Sequence, residues 1–148
     1  MLKFVMLPNL QLISDLVQNN IWLLPIAGLS LEIVFLAFKE SLRSPPDHPS
    51  TAAEASDKLA SHALTILGLV FTGTTFLLSN NSDYSNGTAL LFFVSMGLMF
   101  FSFQFRNLTN QKNLYYFIQD KSVSWGIISL IMGVTLLAVD KNLLKVSF

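Results

Sequence analysis

The sequence predicts an all-α integral membrane protein: a four-helix transmembrane bundle with a short N-terminal amphipathic helix lying in the membrane interface. Three observations lead there. Four apolar runs, near 21–38, 59–78, 89–105 and 123–139, approach the ~20 residues a helix needs to cross about 30 Å of hydrocarbon. Nearly every charge lies outside these runs. The 148 residues are 52% hydrophobic and 12% charged, with a mean hydropathy of +0.55. That is about half the charged share of a soluble domain, so the surplus apolar surface needs a solvent other than water.

The chain reads as one domain over 1–148. Pro8, Asn9, Gln11 and Asp15 interrupt its first run and no A-x-A pattern follows, which argues against a signal peptide. Asn9 suits an N-cap for the interfacial helix, about 10–18, with Leu10, Ile13 and Val17 on one face. The first transmembrane helix, about 21–42, has Trp22 at the interface, Pro25 in its first turns and Ser44-Pro45-Pro46 as its stop. Thr51-Ala52-Ala53-Glu54 fits a capping box and opens the second, about 52–79. Asn80 to Gly87 is a turn, and Thr88 caps the third helix, about 89–107. A polar connection from Asn107 to Lys121 follows, its Tyr115, Tyr116 and Phe117 suited to the headgroup layer. Ser122 or Ser124 caps the fourth helix, about 123–140, and Trp125 is a second interface anchor.

Orientation follows from charge. Lys39, Arg43, Lys58, Arg106, Lys112 and Lys121 border the first and third loops, against Lys3, Lys141 and Lys145 on the other side. The positive-inside rule places loops 43–58 and 107–121 in the cytoplasm and both termini outside. Glycosylation-like triplets at Asn80, Asn86 and Asn107 fall on both sides, so at least one is chance.

Polarity inside a span faces another helix or water. The second helix carries Ser61, Thr65, Gly68, Thr72, Thr75 and Ser79 on one stripe, for which two readings stand: close helix packing, or the lining of a water-filled path. Thr88, Ser95 and Ser102 form a heptad on the third helix. Ser122, Gly126, Ser129 and Gly133 mark a packing seam on the fourth, continued by Asp140. Glu32 is the one acid well inside a span. Counted inward from Lys39 it lies about 10 Å below the headgroups, level with Thr65, Gly68, Ser102 and Ser129. Gly28, one turn earlier, suggests that its face is packed. Glu32 is a candidate proton or cation site, or a protonated carboxyl bonded to a neighbouring hydroxyl or carbonyl. Lys39, Asp57, Lys58, His62 and Arg106 form an expected interfacial charge cluster, in which His62 senses pH or is simply polar.

Several classes are excluded. Nine basic residues balance nine acidic ones, so no nucleic-acid surface is expected. The chain has no cysteine, hence no disulfide, iron–sulfur site or thiol nucleophile. Asp47, His48, Glu54 and Asp57 lack the spacing of a metal cage, and neither a metal nor a cofactor is expected. No phosphate loop, H-E-x-x-H or activated nucleophile is present, so the chain does not read as an enzyme.

Gly126-Ile-Ile-Ser-Leu-Ile-Met-Gly133-Val resembles the fourth-helix glycine heptad of small multidrug-resistance transporters. The resemblance implies four helices and an acid in the first, where Glu32 would correspond, exchanging protons for cationic drugs across an antiparallel dimer. The chain departs from that family in its length, its N-terminal helix, its long first loop and the lack of Trp or Tyr in its second and third helices. The expected function is that of a non-catalytic small subunit packing into a larger membrane complex. Its partners are the lipid bilayer and other membrane subunits or copies of itself. The alternative is a homo-oligomeric ion channel or proton-coupled small-solute carrier using Glu32 and the second-helix stripe.

Overall fold

Each apolar run forms most of one helix. The computed structural model describes residues 20–39, 42–79, 86–109 and 111–140. Among them are four helices and no strand: α1 (Leu23–Ala37), α2 (Pro49–Ser79), α3 (Asn86–Gln104) and α4 (Asn113–Asp140). The last three are long and apolar enough to cross a membrane, whereas α1, at 15 residues, is shorter than a span. The expected interfacial helix at 10–18 and both chain termini lie outside the described residues.

Local chemistry sets the helix ends. α1 stops at Ala37 rather than near 42. Phe38 and Lys39 tighten the last turn by donating to the Phe35 and Leu36 carbonyls at 3.3 and 3.1 Å, and Arg43 Nη2 donates to the Ala37 carbonyl at 2.9 Å. These bonds satisfy acceptors that a continuing helix would have used. α2 starts at Pro49, a position where the missing N–H costs nothing. The Ala52 N–H donates to the His48 carbonyl at 3.1 Å, so Thr51 is already helical and the expected capping box does not form. Glu54 instead pairs with Lys58 one turn on, at 2.8 Å. α4 starts at Asn113 rather than 123, because its polar first turns contain neither Gly nor Pro and bury Ile118, Gln119 and Ser122.

α2, α3 and α4 share one core. Ala63, Met99 and Val123 are its centre, enclosed by Leu59, Ile66, Leu67 and Ile127. The buried face of α2 runs through Ser56, Ala60, Ala63, Val70 and Thr74. These residues recur at helical spacing, and the small ones let neighbouring backbones come close.

The α3–α4 contact is the most extensive in the bundle. Ser95 Oγ donates to the Gly126 carbonyl and Ser129 Oγ to the Leu91 carbonyl, each at 2.8 Å. The two bonds run in opposite directions across the seam. Gly126 admits the Met99 side chain, and Gly133 sits against Leu91 and Phe92. Thr88 and Ser102 are fully buried on α3. Thr88 and Ser122 each lie inside a helix rather than capping one, and Ser122 Oγ donates to the Ile118 carbonyl at 2.6 Å. α1 docks chiefly on α4, outside this three-helix core.

Candidate functional site

The α1–α4 junction gathers the charges that the sequence distributes over distant segments. The two helices run antiparallel, since Gly28 faces Trp125 while Glu32, four residues later, reaches back to Lys121. Gly28 leaves room for the indole, and a Cβ there would overlap the Trp125 ring. Trp125 Nε1 donates to Glu32 Oε2 at 3.2 Å, and Lys121 Nζ lies 3.7 Å from the same oxygen. Trp125 is therefore half-buried and bonded to α1, beyond the interface anchor its position in the sequence suggests.

Glu32 is level with the start of the apolar stretch of α4. Lys121 is the last charged residue before the apolar stretch of α4, so Glu32 stands at the edge of that stretch. Its polar partners are on α4, not in the expected layer with Thr65, Gly68, Ser102 and Ser129. Thr65 and Gly68 face outward, Ser129 bonds Leu91, and Ser102 is buried with no hydrogen-bond partner for its hydroxyl among the described residues. Lys39 sits with its ammonium 5.5 Å from the centre of the Phe35 ring. Glu32, Phe35, Leu36, Lys39, Phe117 and Lys121 line a pocket of about 280 Å³ between the two helices.

The expected cluster of Lys39, Asp57, Lys58, His62 and Arg106 divides into separate groups. Because α1 docks on α4, Lys39 joins the Glu32 pocket. Asp57 Oδ1 accepts from Arg106 Nε at 2.6 Å. That bond, and then the charge of Asp57, raises the Arg106 guanidinium above its already high ordinary pKa. Lys58 turns to Glu54, its ammonium 2.8 Å from the Glu54 carboxylate. Both members of this pair are open to water, where screening leaves it little influence on stability. His62 is exposed on α2.

A buried polar knot behind the Asp57–Arg106 pair has no counterpart in the sequence reading. Ser56, Thr109 and Gln119 are all fully buried. Ser56 Oγ donates to Gln119 Oε1 at 2.6 Å, and Gln119 Nε2 donates back to the Ser56 carbonyl at 3.1 Å. The Arg106 carbonyl accepts from Thr109 Oγ1 at 3.1 Å and, more weakly, from Ser56 Oγ at 3.3 Å. The knot joins α2, the turn after α3, and α4. A glutamine followed by an acid and a lysine reads as solvated polarity, which is why the pattern gives no signal.

The second-helix stripe occupies the side of α2 away from the core. Ser61, Thr65, Gly68, Thr72, Thr75 and Ser79 are all exposed. Thr65, Thr72 and Thr75 donate to the Ser61, Gly68 and Phe71 carbonyls at 3.0, 2.9 and 2.9 Å. Their hydroxyls are thus satisfied within their own helix. At Gly68 and Gly73 an added Cβ would meet nothing within 4 Å. Among the described residues the stripe neither packs a neighbouring helix nor lines an internal path.

At the opposite end of α2, Leu69, Val70, Gly73, Leu77, Phe92, Leu130, Val134 and Leu137 line an apolar pocket of about 330 Å³. No family model matches the chain, and no match is found among curated proteins or solved structures.

Proposed function

We propose that this chain is a membrane-embedded, non-catalytic subunit that joins other membrane helices through the outward stripe of α2. The exposure of all six stripe residues is the observation that carries the reading. A helix face of Ser, Thr and Gly with its threonine hydroxyls already bonded gives another helix a close, shallow surface. The rest of the outer surface supports a lipid setting. Leu31, Phe35, Phe38, Leu69, Phe71, Phe100 and Ile131 are each more than half exposed. Side chains of this size, repeated around a small bundle, are a poor surface for water. The 42–48 and 105–112 connections lie at one end of the bundle, where Asn113 N–H donates to the Ser44 carbonyl at 3.1 Å. Lys39, Arg43, Lys58, Arg106, Lys112 and Lys121 gather there, so that end is proposed as cytoplasmic.

Gly68→Leu combined with Thr72→Leu tests the docking face. Both positions are exposed, so the chain should fold and melt as wild type in mild detergent. Its association with copies of itself or with copurifying membrane subunits should weaken at least about tenfold, the effect of ~1.4 kcal/mol. An unchanged assembly mass would contradict the reading. So would Glu32-dependent proton or cation flux from the reconstituted chain alone.

A further inference from the structure

The α1–α4 pocket has the composition of a receptor for a phosphate-bearing headgroup. Two ammonium groups, Lys39 and Lys121, and one carboxylate, Glu32, line it, leaving one formal positive charge. Glu32 engages Lys121 from one side only, at 3.7 Å, and its Oε2 is shared with Trp125 Nε1. An ammonium has three donors, so Lys121 keeps donors for a second anion. Lys39 has an aromatic face beside it, Phe35, which leaves its hydrogen-bonding protons to an incoming acceptor. The walls between the charges are Phe35, Leu36 and Phe117.

We propose that this pocket binds the phosphodiester headgroup of an anionic phospholipid, with Lys39 and Lys121 as its ligands and Glu32 as the residue that positions Lys121. The inference rests on the membrane reading above. Three features select this occupant. The pocket's net charge is opposite to that of an anionic lipid. It lies where the apolar stretch of α4 begins, the level at which a headgroup meets its acyl chains. Leu31, Val34 and Phe35, all exposed on α1, offer those chains an apolar wall. Basic pockets between membrane helices on the cytoplasmic side are suited to such headgroups.

Native mass spectrometry of the full chain in mild detergent reads the result directly, with phosphatidylglycerol, phosphatidylcholine and inorganic phosphate as probes. Wild type should retain phosphatidylglycerol over phosphatidylcholine of the same chain length. Each lysine should contribute roughly fivefold. Lys39→Gln should lose its share, and the pair Lys39→Gln with Lys121→Gln should abolish the preference. Lys58→Gln, which lies outside the pocket, should keep it. If the double variant does not fold, Lys39→Gln against Lys39→Arg decides, because the Lys39 ammonium rests against Phe35 of its own helix. Equal retention of the two lipids by wild type would overturn the proposal, as would an undiminished preference in Lys39→Gln. Displacement of phosphatidylglycerol by millimolar inorganic phosphate would also overturn it, by making the ligand a free anion. A chain that needs detergent yet shows no lipid preference loses this inference and keeps the membrane reading. A chain that stays dissolved without detergent loses both.

Discussion

Gly28→Leu is expected to lower the stability of the bundle by about 2–4 kcal/mol and to free α1 from α4. A Cβ at position 28 falls on the Trp125 ring, so a leucine forces the indole out of its seat. Overpacking of this kind costs about 1–3 kcal/mol. Moving the indole also breaks the Trp125–Glu32 hydrogen bond, and a bond to a charged group contributes about 1.5–3 kcal/mol. The two losses overlap, because one displacement causes both. Gly97→Leu is the matched control, since a Cβ there meets nothing within 4 Å. Denaturation in detergent micelles checks the difference. The effect should be confined to the α1–α4 junction, so Trp125→Ala in the Gly28→Leu background should recover part of the loss. Equal stability of Gly28→Leu and Gly97→Leu would show that α1 does not pack through this residue.

Ser56→Ala is expected to destabilise the chain by about 1–3 kcal/mol, and the pair Ser56→Ala with Gln119→Leu to cost less than Ser56→Ala alone. Removing the serine hydroxyl deprives the buried Gln119 carbonyl oxygen of its 2.6 Å donor. An orphaned buried polar group costs about 1–3 kcal/mol, whereas replacing both partners by apolar groups is close to neutral. Gln119→Leu alone should be milder than Ser56→Ala, because Ser56 Oγ retains the Arg106 carbonyl at 3.3 Å. Micelle denaturation of the three variants gives the sign of the coupling. Additive losses would mean that the Ser56–Gln119 pair does not act as a unit.

Residue pattern reveals parts of this fold more readily than others. The four apolar runs stand out because each forms most of one helix, and α2 and α4 extend beyond theirs. The heptads on α3 and α4 are readable for a similar reason, as a seam of small residues must recur at helical spacing. Ser95, Gly126, Ser129 and Gly133 all lie in the α3–α4 contact. The stripe on α2 shows the weakness of the same logic. Two small-residue faces share that helix, and Ala60 and Ala63 are the ones against the core. The threonines opposite them look as if they need a neighbour, yet each is satisfied by a carbonyl one turn back in its own helix. Periodicity gives a face but not its partner.

The site depends on which helix meets which, and that is a tertiary fact. Nothing near Lys39 in the sequence places it beside Lys121. Counting along α1 likewise gives no sign that the partners of Glu32 are Lys121 and Trp125 on α4. Gly28 is the local clue to this junction: a glycine one turn from an acid inside an apolar helix marks a face where a large side chain approaches. The start of α4 was obscured because Gln119, Asp120 and Lys121 read as loop, although one of them is buried and one pairs with α1.

The claim on which the rest depends is that this bundle resides in lipid. Alkaline carbonate extraction of membranes from cells producing the full chain tests it most directly. The account predicts that the chain stays with the membrane pellet and is released only by detergent. Recovery in the supernatant as a monodisperse protein, with no detergent present, would contradict it.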